Sequence, residues 1–306
     1  MNLLEILNLD ISFPGRAGRV QASYGANLEI KQGEVLCLVG ESGCGKTILA
    51  LSIMGLLPQN ARINGKILFN GQNLFSLQKK EMRKIRGREI AMIFEQPASC
   101  LNPVLGVGEQ IAEAIRIHEN CSRKVSRKRA VDMMGLVGIP SPHRRYCQYP
   151  HEFSGGMAQR VMIAMALVFR PLLLIADEPT TALDVTIQAQ ILDLLESLIT
   201  QFNTALLLIT HDLCVAARMG NRVAVMYAGG IVEKGQLNDV FKAPGHPYTQ
   251  ALVKAASNEG LVSIPESTEL SLLNSGCWFH LRCPLAQEIC TQKMPKMQGG
   301  VCCHLC

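Results

Sequence analysis

The stretch VLCLVGESGCGKTILALSI, residues 35–53, decides the fold of this chain. Its middle, GESGCGKT at residues 40–47, has the glycine, lysine and hydroxyl spacing of a phosphate-binding loop, placed between an apolar strand and a helical run. Gly43 and Gly45 let backbone N–H groups approach phosphate oxygens, and the start of the following helix adds favourable partial charge. The sequence therefore predicts that the chain binds a nucleoside triphosphate.

Each polar group in this loop has an expected partner. Lys46 is expected to reach the β- and γ-phosphates, and the Thr47 hydroxyl to bind Mg²⁺. Further contacts to the nucleotide are expected along the loop, from Gly40, Ser42, Gly43, Cys44 and Gly45.

A second polar site follows the apolar run in LLLIADEP, residues 172–179. Successive side chains of a strand point in opposite directions, so two adjacent acids at its carboxyl end can serve different partners. Asp177 is expected to hold Mg²⁺, and Glu178 is the candidate general base that activates water. The alternative is two solvated acids at a strand end.

Outward from these motifs, strand-like runs alternate with helical ones and indicate an α/β fold. The nearly continuous apolar runs favour parallel strands that are covered on both faces. A helical insertion is expected at about residues 101–170, because helical spacing replaces the alternation there. From residue 257 the alternation stops, so we expect a nucleotide-binding α/β domain at residues 1–256 and a linker with a cysteine-rich module at 257–306. The expected strand runs are ILNLDISF, VLCLVG, ILFNG, AMIF, LLLIAD, ALLLIT and VAVMYAG.

Composition excludes several classes of protein. Apolar residues make up 48% of the 306 residues and charged residues 18%, which excludes a disordered or fibrous chain. The net charge of +5 is too small to indicate nucleic-acid binding. No charge-free run is long enough to span a membrane, and the opening MNLLEILNLDI does not have the pattern of a secretory signal. A cytosolic protein is expected.

The chain has twelve cysteines, which in a reducing compartment favour thiols or metal ligands over disulfides. Six of them crowd the C-terminal 30 residues. The other six are expected to be small buried hydrophobes. This scattered set is Cys37, Cys44, Cys100, Cys121, Cys147 and Cys214.

Three further strings, FSGGMAQR at residues 153–160, TTALDVT at 180–186 and ITHD at 209–212, complete a known order of motifs. With the two nucleotide motifs, they make the chain resemble the ATP-binding cassette (ABC) subunits of membrane transporters. The resemblance implies a P-loop NTPase core with a helical insertion. It also implies roles for the signature residues Ser154, Gly155 and Gly156, for Asp184 of the D-loop, and for His211, which would contact the γ-phosphate.

The signature is also plausible on physical grounds. Ser154 is a good N-cap, and the glycines after it expose N–H groups at a helix start, which forms a second anion site. In the family, this site clamps the γ-phosphate bound by an opposing subunit. Two chains are therefore expected to sandwich two nucleotides.

Within the family, the chain is similar to the ATPases of dipeptide, oligopeptide and nickel importers. Met157, the string PTTALDVTIQAQILDLL from residue 179, and APGHPYTQALV at residues 243–253 carry this similarity. The similarity implies ATP hydrolysis that energises uptake of di- or oligopeptides, with nickel or another small solute as the alternative cargo. A non-transport ABC ATPase acting on nucleic acid is disfavoured, because no heptad run predicts the long coiled coil of such proteins.

The similarity also implies partners and a location. These are a second, non-identical ATPase subunit, two membrane permease subunits and an external solute-binding protein, with no nucleic acid. The chain is then expected on the cytoplasmic face of the inner membrane, as a peripheral subunit. The permease is expected to dock at residues 97–103.

Two positions need separate treatment. Phe13 matches the aromatic residue that stacks on adenine in the family, although an ordinary strand-end aromatic is an equal alternative because residues 14–19 look inserted. The family places Gln after the strand AMIF, whereas this chain has Glu95 followed by Gln96. Glu95 can still bind Mg²⁺ through oxygen, and its charge is expected to slow or retune hydrolysis.

The C-terminal strings GCWFHLRCPLAQEIC and VCCHLC contain six cysteines and resemble the carboxy-terminal module of the peptide-importer ATPases, in which Cys277, Cys283, Cys290 and Cys303 match the motif positions. Four thiolates suit tetrahedral zinc or an iron-sulfur cluster. The resemblance to peptide-importer ATPases implies a 4Fe-4S cluster. Zinc remains an alternative, because Cys303 and Cys306 form a CxxC pair of the kind that structural zinc prefers and Cys302 could shift the register, and uncoordinated thiols are a further alternative. A structural role without redox function is favoured for either metal centre.

Overall fold

The computed structural model describes residues 2–15, 18–181, 183–256 and 276–305. Contacts divide the chain into two compact units. Unit 1 contains Met1–Lys31, Val35–Ser76 and Leu208–Cys306, and unit 2 contains Gln32–Glu34 and Leu77–Leu207. The predicted linker, residues 257–275, and Cys306 lie outside the described residues.

The strands and helices follow one another along the chain as β1 (Asn2–Gly15), β2 (Gly18–Lys31), β3 (Val35–Val39), α1 (Lys46–Ile53), β4 (Arg62–Phe69), β5 (Gln72–Asn73), α2 (Lys79–Ile85), β6 (Ile90–Ile93), α3 (Pro97–Cys100), α4 (Val107–His118), α5 (Arg123–Leu136), α6 (Pro142–Arg145), α7 (Gly155–Leu167), β7 (Leu173–Asp177), α8 (Val185–Phe202), β8 (Ala205–Thr210), α9 (Leu213–Met219), β9 (Arg222–Tyr227), β10 (Gly230–Gln236), α10 (Leu237–Lys242), α11 (Pro247–Ala256) and α12 (Glu288–Gln292).

The strands that carry the nucleotide motifs are buried and parallel, as the apolar runs predict. In unit 1, β3 pairs in parallel with β9, and β9 pairs antiparallel with β10. In unit 2, β6 pairs in parallel with β7. Every residue of β3, β6 and β7 is buried. Strands covered on both faces can be apolar throughout, which explains their sequences.

A second sheet in unit 1 differs from the predicted parallel arrangement. Its order is β2-β1-β4-β5, and β1 pairs antiparallel with both β2 and β4. The runs ILNLDISF and ILFNG belong to this antiparallel sheet. Sequence patterns did not predict β2 and β10. Strand β2 has many exposed positions between its buried ones, and β10 ends in polar residues.

The predicted helical stretch contains α4, α5, α6 and α7, all in unit 2. Helix α4 buries one face against α5 and α7. The Tyr146 hydroxyl donates to Glu109 at 2.8 Å and fastens the segment after α6 to α4. The domain bounds expected from sequence stay a prediction.

The C-terminal residues 276–305 belong to unit 1 and use its packing. The N–H group of Cys302 donates to the Val232 carbonyl at 2.8 Å, and that of Lys234 donates to the Gly300 carbonyl at 2.8 Å, so this segment extends the edge of β10. Trp278 contacts the Tyr24 ring at 5.4 Å between centroids. A tail too short for its own core is therefore stabilised by the core of unit 1.

The scattered cysteines are mostly not buried, contrary to expectation. Cys37 and Cys44 are buried, Cys121 is half-buried, and the other three are exposed: Cys100, Cys147 and Cys214. Among the described residues, no helix is both long and apolar enough to cross a membrane.

Candidate functional site

The phosphate loop connects β3 to α1 in unit 1. The Lys46 ammonium is buried, and it donates to the Gly40 carbonyl at 2.8 Å and the Glu41 carbonyl at 2.9 Å. These bonds hold the lysine across the loop. Because both acceptors are neutral carbonyl groups, an anionic phosphate is a stronger partner for the ammonium.

Positive φ values favour glycine at several positions of the loop, including Gly45 and Gly43. Gly45 caps the start of α1 with φ +106°, and a Cβ there would lie 2.3 Å from the Ala22 carbonyl oxygen. Gly43 has φ +79°, and a Cβ at this position would meet no neighbouring atom within 4 Å, so this part of the loop is open. Helix α1 has no side-chain N-cap, which leaves its first N–H groups available for an anion.

The other loop residues divide into exposed and buried. Ser42 and Thr47 are exposed at the surface of the loop. Cys44 is 8% exposed, and burial raises the pKa of its thiol while Lys46 lowers it in part. Its carbonyl accepts from the Gly229 N–H at 2.9 Å. The buried Cys44 therefore ties the loop to Gly229 through its backbone.

Sequence patterns did not indicate the contacts made by Glu41. Its N–H donates to the Tyr248 hydroxyl at 3.0 Å, and its carboxylate accepts two bonds from Arg282 at 2.9 Å each. Tyr248 lies in α11, and Arg282 lies in the cysteine-rich tail. Two C-terminal residues therefore contact the phosphate loop of unit 1.

His211 follows the end of β8 and is exposed. The turn after it is fixed by Asp212, whose carboxylate accepts from the N–H groups of Cys214 at 2.7 Å and Val215 at 3.4 Å. Asp212 thereby caps α9 and fixes the short connection between β8 and α9 in which His211 lies.

In unit 2, β7 ends at the predicted acidic pair. Asp177 is 3% exposed, and Glu178 has φ +49°, a left-handed backbone that is uncommon outside glycine. The Thr181 hydroxyl donates to the Glu178 carboxylate at 2.8 Å. A buried carboxylate at a strand end supplies the hard oxygen donor that Mg²⁺ prefers.

Glu95 lies in unit 2, two residues after the end of β6, and is exposed. The adjacent Gln96 is the N-cap of α3, the short helix that begins the predicted permease-docking segment. The carboxylate of Glu95 can therefore reach solvent or a ligand without displacing a core group.

The signature and the D-loop lie at the starts of two neighbouring helices of unit 2. Ser154 caps α7 by accepting from the Met157 N–H at 3.4 Å, and Asp184 caps α8 by accepting from the Ile187 N–H at 3.0 Å. Ser154 and Gly155 are exposed. A Cβ on Gly156 would lie 2.5 Å from Ile187, so glycine allows these two helix starts to approach closely.

Phe13 lies within β1 and pairs with Val20 of β2 in the antiparallel register. It is half-buried. Of the residues that looked inserted in the sequence, Pro14 pairs with Arg19 and Gly15 with Gly18 in the same register, and residues 16 and 17 lie outside the described residues.

The four tail cysteines lie in one small segment of unit 1. The Cys277 N–H donates to the Cys290 carbonyl at 2.7 Å. The pKa of the Cys277 thiol is raised to about 11, mainly by burial and to a smaller extent by the nearby Cys290, Cys303 and Cys283. The four thiols are thus electrostatic neighbours. Over the described ranges, however, no three His, Cys, Asp or Glu side chains are grouped so as to hold a metal ion.

Comparison with known families gives two matches. Residues 24–181 match the family described as ABC transporter. Residues 232–290 match the family described as the oligopeptide/dipeptide transporter C-terminal region. The second match includes both the segment around Tyr248 and the start of the cysteine-rich tail.

Curated relatives match almost the whole chain. The oligopeptide transport ATP-binding protein OppD of Bacillus subtilis (strain 168) is 49% identical over 96% of this chain and 85% of its own length. The dipeptide transport ATP-binding protein DppD of the same organism is 47% identical over 96% of this chain and 90% of its own length. OppD of Escherichia coli (strain K12) is 47% identical over 96% and 89%.

Solved structures agree with the predicted P-loop α/β fold. The dimeric ATP-binding cassette MJ0796, in a post-hydrolysis state bound to ADP and Pi, has a TM-score of 0.68 and 29% identity over 76% of this chain and 98% of that one. The CbiO1 structure from Clostridium perfringens, part of an ABC transporter complex, has a TM-score of 0.67 and 27% identity over 79% and 91%.

Proposed function

This chain belongs to the ATP-binding subunits of ABC transporters, in the branch of the oligopeptide and dipeptide transport proteins, and from that membership we propose that it hydrolyses ATP to energise an importer of di- or oligopeptides. The observation that carries the proposal is the phosphate loop, with a buried Lys46 and an uncapped start of α1. An open glycine loop before such a helix start is an anion site.

We assign the chemical steps to individual residues. Lys46 and the loop N–H groups bind the phosphates, and Thr47 and Asp177 supply oxygen ligands for Mg²⁺, which neutralises phosphate charge. Glu178 takes the proton from the attacking water. His211 contacts the γ-phosphate, Glu95 lies near the metal, and Phe13 stacks on adenine. Further contacts to the nucleotide come from Gly40, Ser42, Gly43, Cys44 and Gly45.

We further propose that the chain works in a pair. The start of α7 at Ser154 and Gly155 is exposed and capped by the serine, so the N–H groups there and at Gly156 are suited to the γ-phosphate bound by a second ATPase subunit. Asp184, exposed at the neighbouring helix start, contributes to the same junction. ATP binding closes the pair and hydrolysis opens it. A non-identical second subunit remains part of the proposal.

The remaining partners follow from the importer role. Two permease subunits carry the cargo across the membrane, and an external solute-binding protein delivers it. The ATPase is then a peripheral subunit on the cytoplasmic face of the membrane, with the permease contacting residues 97–103. The match to the oligopeptide/dipeptide C-terminal region favours peptides over nickel as cargo.

For the C-terminal module, we propose that Cys277, Cys283, Cys290 and Cys303 hold a 4Fe-4S cluster, with zinc as the rival. Soft sulfur donors in one short segment support a metal centre. Among the described residues these cysteines are not grouped as ligands. An absorption spectrum of anaerobically purified protein separates the alternatives. A colourless sample with stoichiometric zinc overturns the cluster, and one without metal overturns both.

The function is tested on the complete importer reconstituted in vesicles. ATP turnover is measured together with the movement of peptide across the vesicle membrane. We expect Glu178→Gln to lower ATP turnover at least 100-fold while MgADP binding stays within about twofold of the parent. Lys46→Ala is expected to lose both binding and turnover. Retained turnover in Glu178→Gln, or unchanged MgADP affinity in Lys46→Ala, would contradict the proposed roles.

A further inference from the structure

The cysteine-rich tail places one cation directly on the phosphate loop. Arg282 Nη1 lies 2.9 Å from Glu41 Oε2, and Arg282 Nη2 lies 2.9 Å from Glu41 Oε1. Two parallel N–H to oxygen bonds of this kind fix both direction and distance. The two residues are 241 positions apart in the chain.

The arginine is held rigidly, unlike an ordinary surface cation. Its side chain is only 6% exposed, against 37% for Glu41. Arg282 Nη1 also donates to the Tyr227 hydroxyl at 3.3 Å, and the guanidinium lies 5.5 Å from the centre of the Tyr227 ring. Phe279, three residues earlier, packs edge-on against Tyr227 at 5.2 Å. Both ends of the contact are thus supported by the core of unit 1.

Glu41 is consequently held at three points. Its N–H donates to Tyr248, its carbonyl accepts from Lys46, and its carboxylate is bound by Arg282. Lys46 is the residue assigned to the phosphates. A shift of Glu41 therefore moves an acceptor that orients the phosphate-binding ammonium.

Charge gives the contact a second consequence. Glu41 lies in the loop that is to receive a triphosphate, and its carboxylate repels that anion unless it is neutralised. Arg282 supplies the opposite charge at hydrogen-bonding distance. The C-terminal segment thus removes an electrostatic penalty that the loop's own sequence creates.

We propose that Arg282 is a positioning residue for the phosphate loop: by binding and neutralising the Glu41 carboxylate, it makes nucleotide affinity depend on the docked C-terminal segment. This inference rests on the proposed function, because it concerns the same nucleotide site. Arg282 itself contacts neither phosphates nor reacting atoms.

The test measures equilibrium binding of MgADP to the full chain. We expect Arg282→Met to weaken binding roughly tenfold, as for loss of a partly buried bidentate pair. The control Lys296→Met removes an exposed positive charge from the same segment and is expected to change affinity less than about twofold. Equal affinities in these two variants would overturn the proposal.

A double variant distinguishes positioning from a general loss of structure. In the Glu41→Gln background, Arg282→Met is expected to have less than about one third of its effect on affinity, because the carboxylate it serves is gone. The proposal would be overturned if Arg282→Met weakened MgADP binding as much in the Glu41→Gln background as in the parent. Trp278 is the sole tryptophan, so its emission shows whether the segment stays docked.

If Arg282→Met undocks the segment, Arg282→Lys takes its place. Lysine keeps the charge without the paired bonds, and an affinity between those of parent and Arg282→Met is expected. The proposal would be overturned if the segment stays docked in Arg282→Lys and if both Arg282→Lys and Glu41→Gln bind MgADP with the affinity of the parent. Lys46→Ala tests the nucleotide site itself, so normal binding in Lys46→Ala would reject the proposed function rather than this inference.

Discussion

At the scale of single residues, backbone strain coincides with the proposed base. Glu178 has φ +49° directly after the buried strand β7, and such a conformation costs a non-glycine residue roughly 1–3 kcal/mol. The Thr181 hydroxyl binds the carboxylate at 2.8 Å and restricts its orientation. A side chain that is turned out of the strand direction and held there is well suited to orient a water molecule.

Glu95 provides a prediction at this scale. Because an exposed carboxylate beside a triphosphate attracts Mg²⁺ and repels ATP, Glu95→Gln is expected to raise the Mg²⁺ concentration for half-maximal turnover and to speed turnover, each by roughly two- to fivefold. The measurement is ATPase rate against Mg²⁺ concentration in the intact complex. Glu196→Gln, an exposed acid on α8, is the control. Superimposable curves for parent and Glu95→Gln would show that Glu95 does not act on the metal.

A buried histidine provides a prediction about pH. His246 is 1% exposed, its ring accepts from the Tyr248 N–H at 3.0 Å, and its backbone N–H donates to the Glu233 carboxylate at 2.9 Å. Burial lowers the pKa of His246 from 6.5 to about 4. The unfolded chain therefore binds a proton below pH 6.5 that the folded chain refuses until about pH 4.

The folded state is thus expected to lose stability as the pH falls from 6.5 to 4. The contribution of His246 to this loss is about 3 kcal/mol. Urea unfolding at a series of pH values measures it. In His246→Asn, which keeps an acceptor for the Tyr248 N–H but does not titrate, the loss over this range should be smaller by that amount. Parallel pH curves for parent and variant would contradict the assignment.

At the scale of elements, sequence patterns predicted the strands that are buried on both faces, together with β1 and β4, and missed strands rich in polar positions such as β2. The run VLCLV predicted β3 because every residue is apolar and buried. In contrast, β2 has exposed and buried positions in irregular alternation, and its pairing with β1 shifts register several times. A period of two cannot be recognised where bulges interrupt it.

The packing of the tail on β10 gives a prediction for an element. A Cβ on Gly230 would lie 1.7 Å from the Trp278 ring, so Gly230→Ala is expected to displace this ring from Tyr24. Such overpacking costs about 1–3 kcal/mol. We expect a red shift of the tryptophan emission and a lower melting temperature, both measurable on the full chain.

The matched control is Gly135→Ala in α5. The nearest atom to its Cβ is Pro142 Cγ at 3.9 Å, an ordinary contact, so the side chain fits. Alanine favours a helix over glycine by about 1 kcal/mol, and Gly135→Ala is expected to keep the emission and to match or exceed the parent in stability. An unshifted emission in Gly230→Ala would mean that the ring adjusts without leaving Tyr24.

At the scale of the whole molecule, motif order predicted the family and the chemistry, whereas distant contacts could not be predicted. The spacing of GESGCGKT specifies its own local structure, because strand, loop and helix are adjacent in sequence. Nothing local indicates that Arg282 reaches Glu41 or that Gly300 continues β10. Such pairings depend on where the chain returns in space. Whether the tail cysteines come together as metal ligands also depends on distant contacts, because every possible set of ligands requires the whole segment to fold.

Pairing of two ATPase subunits gives the last prediction. Ser154 and Ser122 are both exposed serine N-caps in unit 2, with cap bonds of 3.4 Å and 3.3 Å. Replacing either by arginine removes one cap, at about 1 kcal/mol. Only Ser154→Arg places a bulky side chain over the signature helix start, so only this variant is expected to lose ATP-dependent association with the second subunit and to lower turnover roughly 100-fold.

Size-exclusion chromatography with ATP, in the Glu178→Gln background, measures association. MgADP binding to the single chain should stay normal in both arginine variants, because the phosphate loop is unchanged. Equal association of Ser154→Arg and Ser122→Arg would place the shared nucleotide site elsewhere on the molecule.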